Sequence, residues 1–328
     1  MPRIDHAALV LVDEIAHAQR GLITAAQLSD LGLAGSTIRR RARQGGPWRR
    51  VLPAVYAVTL EPLTFDQRVL AASLYAGRPS LITGGAALRR HGIRAAEGIT
   101  PDEVHVLVPH GRKRASTHFV HVQRARYWPA GDDGHVPAGA PVVRAAVDAC
   151  RTMSYRSDVA ALLTELVRDG HTAIADLEDE LRRTQRRQSA LMRDVLTSLR
   201  QGVVSAPEDD LFRRWQESGL PPAVFNAELY LGGEFLAKPD VYVAAHGLIV
   251  EVDSAAHHSS PGDWDRTMRR HARLTALGFA VLHCAPVRIR TDWPGIEGEI
   301  RATIGLPGRG PVPGIRAVLW TERRERGF

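Results

Sequence analysis

The chain has 328 residues, 44% apolar and 24% charged, the composition of a globular protein that buries a core and not of a disordered segment. Its length predicts at least two domains. The formal net charge of +7 comes from 43 Lys and Arg, nearly all Arg. Arginine's planar fork suits phosphate, which makes nucleic acid the first partner to consider, although a GC-rich genome also enriches Arg. Cys150 and Cys284 stand far apart without a partner motif, which argues against a disulfide framework or a zinc knuckle. No apolar run is long enough to span a membrane, and the expectation is a cytoplasmic protein without an anchor.

Leu9, Val12, Ile15 and Ala16 recur at helical spacing and predict an amphipathic helix over about 4–19, ended by Gly21. Thr24 with Gln27 three residues on is a capping-box signature for a second short helix, which Gly32 stops. Ser36 opens a third helix that carries Thr37, Arg39, Arg40 and Arg43, and 48–52 and 54–58 read as two short strands around Pro53. Helix, Gly-containing turn, Arg-rich helix and strand pair is the layout of a winged helix-turn-helix, with Ser36, Thr37, Arg39, Arg40 and Arg43 facing nucleic acid.

The runs Gly21 to Leu28, Ser36 to Arg41 and Trp48 to Tyr56 resemble the N-terminal winged-helix domain of AbiEi-type antitoxins, regulators of type IV toxin–antitoxin systems. The resemblance covers about the first 60 residues. It implies an α+β winged helix, DNA as the ligand, and a cognate toxin or a second copy of the chain as protein partner.

From 61 to about 200 a mixed α/β and helical connecting region is expected. A helix is predicted over 65–76, and Gly84-Gly85 before another helix suits close packing better than phosphate binding, because no Lys-Ser/Thr follows. Segments 103–108 and 117–122 alternate as a strand pair joined by the basic loop 111–114. His118 and His121 are three apart and face opposite sides of a strand, so shared metal ligation with His105 is not expected. The Gly- and Pro-rich stretch 129–141 reads as a loop, followed by helices near 143–153, 157–169, 175–187 and 191–201. The basic run at 182–187 is a solvated face or a guide for a nucleic-acid backbone.

The densest chemistry lies between 208 and 258. Lys238-Pro239-Asp240 is followed eleven residues later by Glu251-Val252-Asp253 and then by His257 and His258. Segments 224–231, 235–243 and 247–252 read as a meander with hairpins at Gly232-Gly233 and at 244–247, which sets Asp240 beside Glu251. Glu251 and Asp253, two apart, leave one face of their strand. Carboxylates so gathered repel one another unless a hard cation such as Mg²⁺ or Mn²⁺ takes their oxygens, and such a site suits phosphodiester hydrolysis. His257 or His258 would orient water or protonate the leaving oxygen. Beyond them, Arg266, Arg269, Arg270 and Arg273 form one basic stripe on a helix over about 264–277, suited to phosphate, and 279–284 reads as a last core strand.

Pro239-Asp240 with Glu251-Val252-Asp253 resembles the PD-(D/E)XK nuclease superfamily. Together with His257-His258, Asp263-Trp264, Arg266 to Leu274 and Gly278 to His283, the stretch looks like the Vsr-like domains related to very-short-patch-repair endonucleases. The resemblance covers about 205–304 and implies an α/β restriction-endonuclease-like domain, over 201–306, whose mixed central sheet is flanked by helices. It also implies that Glu208 is the helix-borne acid and that Glu208, Asp240, Glu251 and Asp253 hold Mg²⁺ or Mn²⁺ over double-stranded DNA. One departure stands out: the superfamily's Lys two residues after the second acid is replaced by Asp253, and Lys238 is the nearby substitute. The rival expectation is a non-catalytic DNA-binding transcriptional regulator of antitoxin type. From 307 onward a basic, flexible tail is expected.

Overall fold

The computed structural model describes residues 6–184, 187–203, 206–252 and 261–319, and the chain divides into two compact units, 1–192 and 193–328. The expected N-terminal domain and most of the connecting region fall in the first unit. It is an α+β structure, and among the described residues no helix is long and apolar enough to cross a membrane.

The first unit begins with α1 (His6–Ala18), β1 (Leu22–Thr24), α2 (Ala25–Asp30), α3 (Gly35–Arg41), β2 (Arg49–Leu52) and β3 (Val55–Ala57). The capping box forms as its spacing predicts: Thr24 Oγ1 accepts from Gln27 N–H at 3.2 Å and Gln27 Oε1 accepts from Thr24 N–H at 2.9 Å. Helix α3 starts at Gly35 with Ala34 as its N-cap, so Ser36 lies in the first turn and does not cap it. Val12, Ile23, Leu28, Ile38, Trp48 and Tyr56 close a core between the three helices and the β1-β3-β2 sheet.

The unit continues with α4 (Phe65–Ala76), β4 (Leu81–Thr83), α5 (Gly84–Arg90), β5 (Val104–Pro109), β6 (Val120–Ala125), α6 (Val142–Cys150), α7 (Arg156–Arg168) and α8 (Ile174–Arg183). Strand β4 stands where the sequence suggests only a loop entering a helix; three residues are too few to show a period. Gly84 and Gly85 are buried, and a Cβ on Gly85 would meet the Ile99 carbonyl, the packing role expected of them. Strands β5 and β6 pair in parallel, which sets His105 directly beside His121. Beneath them lies a buried ion network. Asp148 accepts from Thr83 Oγ1 (2.8 Å), Arg144 Nε (2.9 Å) and Arg151 Nη1 (2.9 Å), and Arg144 reaches Glu180 at 3.4 Å. Burial pushes the Glu180 carboxyl up despite Arg144, and pushes the Cys150 thiol up to about 12.

Helix α9 (Ala190–Arg200) spans the division, and the second unit holds α10 (Ala206–Glu217), β7 (Val224–Phe225), β8 (Glu228–Leu231), β9 (Glu234–Ala237), β10 (Val241–Val243), β11 (Leu248–Val252), α11 (Pro261–Ala276), β12 (Ala280–Cys284), α12 (Pro286–Thr291), α13 (Trp293–Ile304) and β13 (Ile315–Val318). A mixed sheet of order β12-β11-β10-β7 lies at its centre. Alternation along β11 sends Leu248 and Val250 into a core with α10, α12 and α13, and sends Ile249 toward Leu274 of α11.

Two of the expected strands are each broken in two. Asn226, with φ +51°, separates β7 from β8, and Lys238-Pro239-Asp240 separates β9 from β10, so β8 and β9 leave the central sheet for a second one with β13. Proline cannot donate to a ladder, which accounts for the second break. The hairpin signals hold: Gly232 and Gly233 take φ +61° and +91° between β8 and β9, and Gly247 takes φ +56° between β10 and β11. The segment after 307, expected to be loose, supplies β13, which pairs with β8 over 315–318; residues 320–328 lie outside those described.

Candidate active site

The acids of the second unit gather at one end of the central sheet because of strand register. Val241 pairs with Val250, so Asp240 and Glu251 each stand one residue beyond that pair on adjoining chains. Asp240 Oδ2 accepts the Val252 N–H at 2.6 Å, and its carbonyl accepts the Asn226 N–H at 2.9 Å. Asn226 Nδ2 in turn donates to Glu208 Oε2 on the first turn of α10. One asparagine, held in a left-handed conformation after β7, thus ties the helix-borne acid to the chain that carries Asp240. Asn and Asp are the non-glycine residues that adopt this conformation most readily.

Glu251 is buried, 7% exposed, and its Oε1 lies 3.3 Å from Arg270 Nη2. Arg270, expected to contact phosphate, has its guanidinium beside this acid. The parallel β11–β12 register puts His283 next to Glu251, and the His283 ring lies 4.4 Å from that of His271 on α11. Arg269 and Arg273 are exposed on the same helix, whereas the side chain of Arg266 is outside what is described. Lys238 is exposed. Asp253, His257 and His258 lie outside the described residues. Glu208, Asp240 and Glu251 share one sheet end, but they do not form a triad of ligating atoms within 4.8 Å.

Sequence reasoning missed Asn226, His283 and the Arg270 pairing. Asn226 reaches Glu208 by a side-chain hydrogen bond and His283 reaches Glu251 by strand register, neither of which spacing along the chain shows.

In the first unit, Ser36, Arg39, Arg40 and Arg43 are exposed on or just after α3, and Thr37 is half-buried. Arg41 is drawn away from that surface, its guanidinium 4.7 Å from the Trp48 ring. The basic segments of the connecting region, distant in sequence, meet around a cavity of about 1180 Å³ lined by Arg114, Arg124, Arg126, Arg144, Arg151, Arg183 and Arg187, with Glu103, His105 and His121. His105 and His121 stack at 5.0 Å and share Glu103, at 3.4 and 3.3 Å. The parallel register brings these two together, and His118 is left beside Thr117. Burial, then the neighbouring His121, lowers the His105 pKa.

Among the described residues, one group places three ligating atoms within 4.8 Å of one another: His91, Asp133 and His135, which could hold a metal ion. No protein-family model matches the chain, and no curated protein matches it.

Proposed function

We propose that the protein is a nucleic-acid-binding phosphodiesterase of the cytoplasm, with a winged helix-turn-helix at its N-terminus and a restriction-endonuclease-like second unit that cuts double-stranded DNA. The observation that carries this reading is the pairing of Asp240 with Glu251 at the end of a mixed, helix-flanked sheet, with Glu208 tethered to them through Asn226. Burying a carboxylate carries a desolvation cost that its partners must offset. Hard oxygen donors on adjoining strands fit Mg²⁺ or Mn²⁺. Bound there, such an ion would polarise the phosphate and lower the pKa of water.

The chain's own residues have separate tasks in this reading. Asp240 is oriented by the Val252 amide at the end of the sheet. Arg270 neutralises Glu251 until substrate arrives and then supplies positive charge to the phosphate. Arg269 and Arg273, exposed on the same helix, contact the flanking backbone. His283, beside Glu251, is placed to donate a proton to the leaving oxygen. Asp253, His257 and His258 keep the roles that their spacing suggests. The exposed Ser36, Arg39, Arg40 and Arg43 and the arginine-lined cavity support a polyanionic partner.

Supercoiled plasmid incubated with the full chain and Mn²⁺ tests the proposal. Nicking that needs the ion supports it. Metal-independent binding to DNA without cleavage would favour the regulator of antitoxin type, for which the exposed face of α3 is the supporting observation.

A further inference from the structure

We propose that His91, Asp133 and His135 form a binding site for a zinc-class transition-metal ion in the first unit, with His91 Nε2, Asp133 Oδ2 and His135 Nδ1 as ligands. The site is separate from the acids of the second unit and does not depend on their reading. Local structure brings the three together. His91 caps the C-terminus of α5, and the chain after Asp133 returns to β4: Ile82 N–H donates to Ala138 O at 2.9 Å and Ala140 N–H to Ile82 O at 2.7 Å. The loop carrying Asp133 and His135 is thereby fastened beside the end of α5.

Asp133 is preorganised. Its side chain is 0% exposed, and Oδ1 accepts the Gly139 N–H at 2.7 Å and the His135 N–H at 3.0 Å. Gly139 leaves room for this carboxylate, because a Cβ there would collide with Oδ2. His91 Nε2 is buried without a hydrogen-bond partner, so it is the atom left for a ligand.

The inward-facing atoms lack hydrogen bonds. Asp133 Oδ2 lies 3.2 Å from His135 Nδ1 and 3.8 Å from His91 Nε2, yet Oδ2 and His91 Nε2 are buried with no hydrogen-bond partner. Leaving such groups unsatisfied costs their desolvation without return. A cation shared by the three removes that cost. Two imidazoles and one carboxylate suit Zn²⁺, Co²⁺ or Ni²⁺ better than Mg²⁺ or Ca²⁺, which prefer all-oxygen sets. Three protein ligands leave a coordination position open. Arg90 lies beside the group: Nη2 is fixed by Pro137 O at 2.7 Å, and Nη1, 3.9 Å from Asp133 Oδ2, is also buried without a partner. A water or small anion completing the metal's shell would accept from that Nη1. The competing arrangement is a single ordered water bridging the same groups.

The test uses untagged full chain, stripped with chelator, dialysed against Zn²⁺ alone and analysed by atomic emission, with Co²⁺ as a spectroscopic probe. The expected result is uptake of one ion that the His135→Ala chain fails to take up, with the visible absorption of a low-symmetry Co²⁺ site with nitrogen ligands. Asp133→Asn and His135→Ala should each weaken uptake by more than about 100-fold, since loss of an outer partner alone costs about 10–100-fold. His135 is 40% exposed at its side chain, so its truncation leaves no buried void and tests the site even if Asp133→Asn fails to fold. Thr24→Ala, which touches neither group, should leave this Zn²⁺ uptake unchanged. No uptake by the wild-type chain, or uptake that His135→Ala does not weaken, overturns the proposal in favour of the bridging water.

Discussion

The two units contain buried carboxylates in opposite circumstances. Asp148, inside the first unit, has arginines four residues before and three after it on or beside one helix, and three donors meet its two oxygens. Glu251, at the sheet end of the second unit, meets a guanidinium from a separate helix, and its neighbours are another acid and a histidine. The first arrangement is closed on itself and built to hold elements together. The second keeps acids near one another, which folding alone would disfavour. Stability and function should therefore separate between them.

The largest stability effect is expected at the closed network. Asp148→Ala leaves Arg144 and Arg151 buried without their common partner and should cost about 3–5 kcal/mol in urea unfolding of the full chain. A loss below ~1 kcal/mol would mean that the network is solvated and the contrast is false. Glu251→Gln should shift the same unfolding curve by no more than ~1 kcal/mol while removing Mn²⁺-dependent nicking, because the paired guanidinium is 42% exposed and well screened.

Smaller effects sharpen the picture. Thr24→Ala removes a capping box that shares no residue with either cluster and should cost ~1 kcal/mol with no change in nicking. Arg270→Gln takes away the cation that competes for Glu251; Mn²⁺ titrations should then saturate at a few-fold lower concentration, and an unchanged midpoint would show that the pair does not bear on metal binding. The smallest effect concerns pH. The folded-state pKa of His105 lies below the ordinary 6.5, so its contribution is present above that value and is lost as pH falls toward the lowered one. Melting temperature should drop on acidification from neutral pH, and His105→Gln should flatten that drop.

Much of the fold was legible because its signals are local. The α1 helix, the Thr24–Gln27 capping box, the helices after 141 and the turns at Gly232-Gly233 and Gly247 follow from periodicity or φ requirements within a few residues. The acids at 240 and 251 were legible for the same reason, one hairpin joining them. What was not legible depends on register or on long loops. Parallel pairing of β5 with β6 put His105 beside His121, and parallel pairing of β11 with β12 put His283 beside Glu251; neither follows from spacing along one strand. His91 and Asp133 are 42 positions apart in sequence, joined only because 138–140 runs against β4. The breaks at Asn226 and Pro239 escaped notice because the flanking segments keep an apolar pattern that reads as continuous strand.

The most direct measurement is plasmid nicking run side by side on the wild-type chain, Asp240→Asn, Glu251→Gln and Asp133→Asn, each checked for native unfolding. The account predicts Mn²⁺-dependent nicking by the wild type, a fall of at least about 10²-fold in the first two variants, as expected when a preorganised charged group is lost from a reacting centre, and full activity in Asp133→Asn. Nicking that survives in both Asp240→Asn and Glu251→Gln, or no nicking by the wild type, would contradict a phosphodiesterase at the sheet end.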